Sequence, residues 1–141
     1  MKLLVFVLSA TALMLFYSCE DSDSNYFPKV YKYTSYDSTG NKIIAGYLWI
    51  DNIDSSKVKG RWQFNLISDC ENIGPQIGHG NFEGTVNMLG TLSLNLNPGM
   101  LDNNVLLDCS MRLPYRIDGR WSYVGISGVI NWGGLKGEQL R

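Results

Sequence analysis

Apolar and polar residues alternate along several stretches of the chain. The clearest stretch is 91–97, where a leucine stands at every second position until Pro98 and Gly99 follow. The same period of two runs through 57–66 and through 103–112, which places Cys109 on the apolar side of its segment. A period of two is typical of strands that bury one face and expose the other. Each of these stretches is therefore predicted to be a strand.

Clusters of glycine, proline, serine and asparagine separate the strand-like stretches. Residues 37–41 join 31–36 to 42–50 as a hairpin, and 52–56 forms a second short turn. A longer loop at 68–80 carries Cys70 and His79, extended structure resumes at 81–88, and 118–140 supplies two final strands whose glycines suit bends or bulges. About eight strands result, which predicts an all-β fold: an antiparallel up-and-down meander barrel, filled by side chains or holding one small ligand.

The motif Gly-Arg-Trp occurs twice with similar neighbours. Residues 58–64 read VKGRWQF and residues 117–123 read IDGRWSY, and a Gly-x-apolar-x-Gly segment follows each copy, at 80–84 and at 133–137. Two units of about four strands each would explain both the repeat and the strand count, although two copies are too few for a solenoid.

Gly-x-Trp on a barrel strand resembles the signature of the calycins, the lipocalins and avidins. The resemblance implies a barrel that holds a small apolar ligand. Tryptophan combines a large apolar ring with one hydrogen-bond donor, so it suits core packing, sugar stacking and interfaces alike. Arg61 and Arg120 flank the repeated tryptophans and are expected to cover tryptophan edges by cation-π contact. The candidate ligand-binding residues are Trp62 and Trp121, which also suit structural plugs, and Trp49 and Trp132, which suit a pocket or an exposed contact.

The first residues have the organisation of an export signal. Met1 and Lys2 precede the almost entirely apolar stretch 3–17, which is shorter than the roughly 20 residues that span a bilayer. Ser18 and Cys19 then resemble the lipobox of bacterial lipoproteins, which implies that residues 1–18 are a signal peptide and that Cys19 carries acyl chains. The alternative is a buried first helix with Cys19 as a core thiol.

Residues 19–28 are acidic and rich in serine, the composition of a flexible tether between an anchor and a folded domain at 29–141. Several acyl chains on one residue hold a protein stably to a membrane. The lipoprotein resemblance implies attachment to the outer membrane of a bacterial cell envelope. A similar acidic tract marks surface export in some lipoproteins, so surface exposure is a further expectation.

Charge and cysteine usage narrow the function classes. The formal net charge is -1 with both signs interspersed, so there is no basic stripe to bind nucleic acid. The two remaining cysteines, Cys70 and Cys109, form an even pair in an exported protein, which predicts one disulfide. Two buried free thiols are the alternative. No cysteine and histidine spacing suits zinc, and we expect no cofactor.

Catalytic constellations are weak in this sequence. His79 lies between two glycines without a nucleophile frame such as GxSxG, and it is read as an exposed loop histidine. A carboxylate pair for glycoside cleavage would combine Glu83 with Asp108 or Asp118, but strand parity places both aspartates on the outer face. We therefore expect a non-enzymatic binding module for a small apolar or sugar ligand. The alternative is a protein-interaction lipoprotein, such as an inhibitor of an external hydrolase that uses a rigid loop at 68–80.

Overall fold

The computed structural model describes residues 28–112 and 115–140. The predicted signal peptide, Cys19 and all of the predicted tether except Pro28 lie outside the described residues. Within them the chain forms eight strands: β1 (Lys29–Tyr36), β2 (Lys42–Asp54), β3 (Lys57–Leu66), β4 (Gly78–Val86), β5 (Thr91–Asn95), β6 (Asn103–Arg112), β7 (Arg116–Gly125) and β8 (Gly128–Gln139). In this part of the chain no helix is long and apolar enough to cross a bilayer.

The eight strands close into a barrel. Each strand pairs antiparallel with the next in sequence, and β1 also pairs with β8 through a register that includes Tyr33 opposite Gly137. The predicted all-β antiparallel meander barrel is confirmed. Closure pairs β1 and β8, the first and last strands of the meander, with each other, which removes the template for edge-to-edge aggregation that they would otherwise offer.

The barrel interior is filled by large side chains. Tyr33 and Phe64 stack with their ring centroids 4.2 Å apart, and Trp62 lies beside Phe64 at 5.2 Å. The remaining buried core comes from aromatic and aliphatic residues on all eight strands, among them Tyr31, Leu48, Ile50, Phe82, Leu92, Leu94, Leu107, Ile117, Trp121 and Leu135. Eight strands enclose a space just wide enough for such side chains. The interior is therefore a packed core.

Inward-facing glycines make room for the largest rings. Gly80 lies opposite Trp62 across the β3–β4 pair, and Gly133 lies opposite Trp121 across the β7–β8 pair. A Cβ atom at Gly80 would come within 2.9 Å of the Trp62 indole. Several glycines predicted for bends are thus notches in the core, whereas Gly128, with φ +108°, does serve the β7–β8 turn.

The repeated motif is also repeated in space. The pairs that β3 makes with β4 recur between β7 and β8, with Gly60 opposite Phe82 matched by Gly119 opposite Leu135. The two hairpins are four strands apart in a barrel of eight, so they lie on opposite sides of the barrel axis. The core thus has approximate twofold symmetry about the barrel axis, and this symmetry relates Trp62 to Trp121.

The two ends of the barrel differ. The loop end carries the β1–β2 turn, the long 67–77 loop, the β5–β6 connection and the β7–β8 turn. The entry end carries the start of β1, the finish of β8 and the β2–β3, β4–β5 and β6–β7 connections. These two names are used below.

Both cysteines in the described residues are free thiols, so the predicted disulfide between Cys70 and Cys109 is not formed in this structure. Cys109 is buried and points into the core, six residues along β6 from Asn103 at the loop end. At about 3.3 Å per residue that places it roughly 20 Å along the strand from the end where Cys70 lies. A disulfide requires Cα atoms about 4.4–6.8 Å apart. An even cysteine count says nothing about this separation.

Candidate binding surface

Two of the four candidate tryptophans are structural. Trp62 and Trp121 are buried, with 4% and 0% of their surface exposed. The indole Nε1 of Trp62 donates to the carbonyl of Leu96 at 3.0 Å, and that of Trp121 donates to the carbonyl of Tyr36 at 2.8 Å. Because each donor is satisfied by a backbone carbonyl at or just beyond the end of a strand that is not its direct neighbour, both rings are fixed plugs of the core.

The other two tryptophans lie on the outer surface. Trp49 is partly exposed on β2, and Trp132 is 44% exposed on β8. The four residues therefore do not line one interior pocket, and the structure places the two available rings on separate outer faces.

Trp49 belongs to an ordered outer face of β2, β3 and β4. Its ring centroid is 5.8 Å from that of Tyr47, and the Arg61 guanidinium lies 5.8 Å from the Trp49 ring. Arg61 is held in turn by Asp51 through two hydrogen bonds, Nε to Oδ2 and Nη2 to Oδ1, both 2.8 Å long. Hydrogen bonding and the charge of Asp51 raise the pKa of Arg61. Such a two-pronged pair fixes the guanidinium plane.

A groove of about 390 Å³ lies beside this aromatic pair. Its lining comes from three adjacent strands: Trp49 of β2, Arg61 and Gln63 of β3, and His79 and Asn81 of β4. Register accounts for the arrangement, since Gln63 pairs with His79 and Arg61 pairs with Asn81. We call Tyr47, Trp49, Arg61, Gln63, His79 and Asn81 the aromatic face.

Trp132 has a different setting. The Arg120 guanidinium lies 4.4 Å from its ring, and Lys136 Nζ lies 5.8 Å from the ring of Tyr36 on the next strand. A groove of about 460 Å³ runs between these groups and the 37–40 turn. The predicted cation-π contacts of Arg61 and Arg120 are therefore made, but to the outer tryptophans rather than to the buried ones.

Of the candidate catalytic groups, Glu83 and Asp108 line one small outer groove of about 170 Å³, whereas His79 lines a different groove. His79 lies in β4 rather than in a loop, and its side chain is exposed on the outer face. Glu83 pairs with Lys59 at 3.0 Å, whereas Asp108 accepts a hydrogen bond from Ser93 at 2.8 Å. Among the described residues no group of three histidine, cysteine, aspartate or glutamate side chains is placed to hold a metal ion.

The 67–77 loop is ordered by its own residues rather than by a disulfide at Cys70. Ile73 and Gln76 are buried, and Gln76 Nε2 donates to the carbonyl of Ile73 at 2.6 Å. Asn97 reaches across from the end of β5 and donates to the carbonyl of Pro75 at 3.0 Å. The apolar residues at the two ends of the loop, Ile67 and Ile77, are exposed.

Sequence reasoning missed Tyr47, Gln63 and Asn81 as members of a site. Gln63 and Asn81 occupy the outward parity of their strands, a position that alone indicates only solvent exposure. Only the cross-strand register shows that both stand beside Trp49. Comparisons with protein-family models, curated proteins and solved structures found no match to this chain.

Proposed function

We propose that this protein is an exported, lipid-anchored and non-enzymatic binding module that holds a saccharide on its aromatic face. The observation that carries the proposal is a filled interior combined with an outer Tyr47–Trp49 pair, whose Trp49 ring lies beside the guanidinium that Asp51 holds. The calycin resemblance implied a ligand inside the barrel. Because aromatic plugs occupy that space, we propose a binding site on the outside of the barrel.

The chemistry of the aromatic face favours a saccharide. Sugar rings present apolar C–H faces that stack on aromatic rings, and hydroxyl edges that need both donors and acceptors. Tyr47 and Trp49 supply the rings, while Gln63, Asn81 and His79 supply donors and acceptors. Arg61 is already committed to Asp51, so it contributes a fixed edge rather than a free charge. A ligand of low charge suits this balance.

The anchoring part of the proposal rests on the apolar stretch 3–17, on Ser18-Cys19 and on the acidic residues that follow. Mass spectrometry of the protein purified from membranes tests it directly. The expected species begins at Cys19 and carries the added mass of acyl chains. A Cys19→Ser variant should lack that mass and leave the membrane fraction.

The binding part is tested with an oligosaccharide array followed by calorimetric titration of each hit. We expect Trp49→Ala to weaken binding about tenfold or more, which corresponds to roughly 1.4 kcal/mol. Trp132→Ala is the matched control, because it removes an exposed tryptophan next to an arginine from a different face. Equal losses in both variants, or no loss in Trp49→Ala, would show that the aromatic face is not the binding site.

A second candidate function is inhibition of an external hydrolase by the 67–77 loop. It is favoured by the buried Ile73 and Gln76 anchors, which hold a rigid loop between the exposed Ile67 and Ile77. Rigid loops bind enzymes with little loss of conformational freedom. An assay against purified cell-wall hydrolases tests it, and Ile77→Asp should relieve any inhibition that Trp49→Ala leaves intact.

A further inference from the structure

Two turns of the barrel have the same geometry. In the β1–β2 turn, 37–41, the Asp37 Oδ1 accepts hydrogen bonds from the backbone N–H groups of Thr39 and Asn41, both at 2.9 Å. In the β4–β5 turn, 87–91, the Asn87 Oδ1 accepts the equivalent bonds from residues 89 and 91, also at 2.9 Å. A glycine with positive φ occupies the fourth position of both turns, Gly40 at +92° and Gly90 at +76°.

The two residues at the tip are the difference between these turns. The β1–β2 turn presents Ser38 and Thr39, whereas the β4–β5 turn presents Met88, which is fully exposed, and Leu89, which is 90% exposed. Serine and threonine complete the same hydrogen-bond pattern, so the fold does not require apolar side chains at the tip. We call 87–91 the apolar turn.

The apolar turn lies at the entry end, where β1 begins. Eight residues lie between Cys19 and Pro28, and the nine steps along the chain, at no more than about 3.5 Å each, span at most roughly 30 Å. A lipid on Cys19 would therefore keep the entry end close to the membrane surface. This step rests on the anchoring part of the proposed function.

Charge at the two ends agrees with this orientation. Among the described residues at strand ends, the entry end carries four basic and two acidic ones, Lys29, Lys57, Arg112 and Arg116 against Asp54 and Glu138, and Arg116 and Glu138 pair with each other at 3.4 Å. The loop end carries one basic residue and four acidic ones: Lys42 against Asp37, Asp69, Glu71 and Asp102. The loop end also exposes Leu101 and Ile126, but its acidic surroundings would be repelled by anionic lipid.

A groove of about 690 Å³ adjoins the apolar turn. Its lining combines the apolar side chains of Val86 and Met88 with five residues that carry hydroxyl groups, Ser55, Ser56, Thr85, Thr91 and Ser93. Hydroxyl groups beside apolar side chains match the interface between lipid headgroups and acyl chains, where both kinds of group find partners.

We propose that the entry end docks on the same membrane that holds the Cys19 lipid. Met88 and Leu89 enter the headgroup region, the basic residues approach lipid phosphates, and the hydroxyl-lined groove faces the headgroups. Docking fixes the barrel upright, so that the loop end points away from the membrane and the aromatic face stands at its side.

The test uses the acylated protein reconstituted in phosphatidylethanolamine and phosphatidylglycerol vesicles. A nitroxide label is attached at Ser56→Cys, beside the apolar turn, in a Cys70→Ser background because Cys109 is buried. The spin relaxation of the label caused by oxygen, which concentrates in lipid, is divided by the relaxation caused by a water-soluble nickel complex. The reference label is at Leu101→Cys on the loop end.

We expect the oxygen-to-nickel ratio to be at least about threefold higher at position 56 than at position 101. Replacing the tip by that of its sister turn, Met88→Ser with Leu89→Thr, should lower the ratio at 56 to the value at 101. Circular dichroism should show that this double variant keeps the barrel.

Equal ratios at both positions in acylated protein would overturn docking while leaving the anchor intact. Protection of position 56 from both relaxants would show that another protein copy covers this end, which also overturns the proposal. Absence of lipid on Cys19 by mass spectrometry would overturn the anchor and, with it, docking.

Discussion

Gly133 is the position where one added methyl group should be most informative. It lies opposite Trp121, and a Cβ there would overlap the backbone carbonyl of Tyr36 and come within 2.8 Å of Trp121 Nε1. That carbonyl accepts the Trp121 indole N–H. Gly133→Ala must therefore move either a strand or the plug ring, and it must break or stretch the bond between them.

The expected loss of stability follows from these two effects. Overpacking a close-packed core costs about 1–3 kcal/mol, and leaving a buried donor unpaired costs about 1–3 kcal/mol more. Gly133→Ala should thus destabilise the barrel by roughly 2–6 kcal/mol, which is a large part of the 5–15 kcal/mol typical of a domain.

Gly134 supplies the matched control, because it is the next residue of β8 and faces outward. A Cβ at Gly134 meets nothing within 4 Å. Gly134→Ala should therefore change stability by no more than about 0.5 kcal/mol, or raise it slightly through the unfolded chain.

Equilibrium urea unfolding, followed by tryptophan fluorescence, compares the two alanine variants with the parent protein. If Gly133→Ala unfolds at the same urea concentration as Gly134→Ala, then the inward glycines are not steric notches. The account of the packed interior would then be wrong, and a ligand inside the barrel would again be possible.

Two further predictions concern pH. Burial, and then the charge of Asp108, raise the pKa of Cys109 from 9.0 to about 12, so its contribution to stability is complete below pH 9 and is lost between pH 9 and 12. In urea titrations, the free energy of unfolding of the parent protein should fall by roughly 1 kcal/mol more than that of Cys109→Ala between pH 9 and 10. Equal losses in the two proteins would contradict this. Hydrogen bonds from Thr39 and Asn41 lower the pKa of Asp37 to about 2, so its contribution is present above pH 3.8 and is lost as the pH falls to about 2. Asp37→Asn, which copies Asn87 of the sister turn, should fold normally and lose less stability than the parent across that range in acid unfolding scans.

Local alternation predicted most of the fold because the strands that line a packed interior must bury every second residue. The pattern is unbroken in β3, where Val58, Gly60, Trp62 and Phe64 are buried and their neighbours are exposed. The eight-strand count followed from such segments and from the turn residues between them. The predicted barrel already implied that β1 pairs with β8, but the register of that pairing needed the three-dimensional structure.

Alternation failed where the strand was irregular. In β2 both Ile43 and Ile44 are buried, and the register shifts between Ile50 and Asn52, so counting by two does not assign Trp49 to a face. In β8 the glycines around Trp132 carry no polarity from which a face could be inferred. The sequence therefore indicated Trp62 and Trp121 as plugs but left open whether Trp49 and Trp132 line a pocket or form an exposed contact.

The sequence also could not predict contacts between segments that are distant in the chain. The Cys70 and Cys109 prediction used an even count and a compartment, neither of which contains a distance. The glycine notches depend on which residue stands across the strand pair, as Gly80 does from Trp62. Both questions become answerable only when the register is known.

The pairing of β1 with β8 has a consequence for how the chain reaches its native state. Tyr31 and Gln139 are partners although they lie more than 100 residues apart in the chain. Closing so long a loop has a high entropic barrier, whereas each hairpin between consecutive strands can zip locally. The pairing of β1 with β8 should therefore form last. Until it does, the molecule is an open curved sheet with two unpaired edge strands that a chaperone would have to shield.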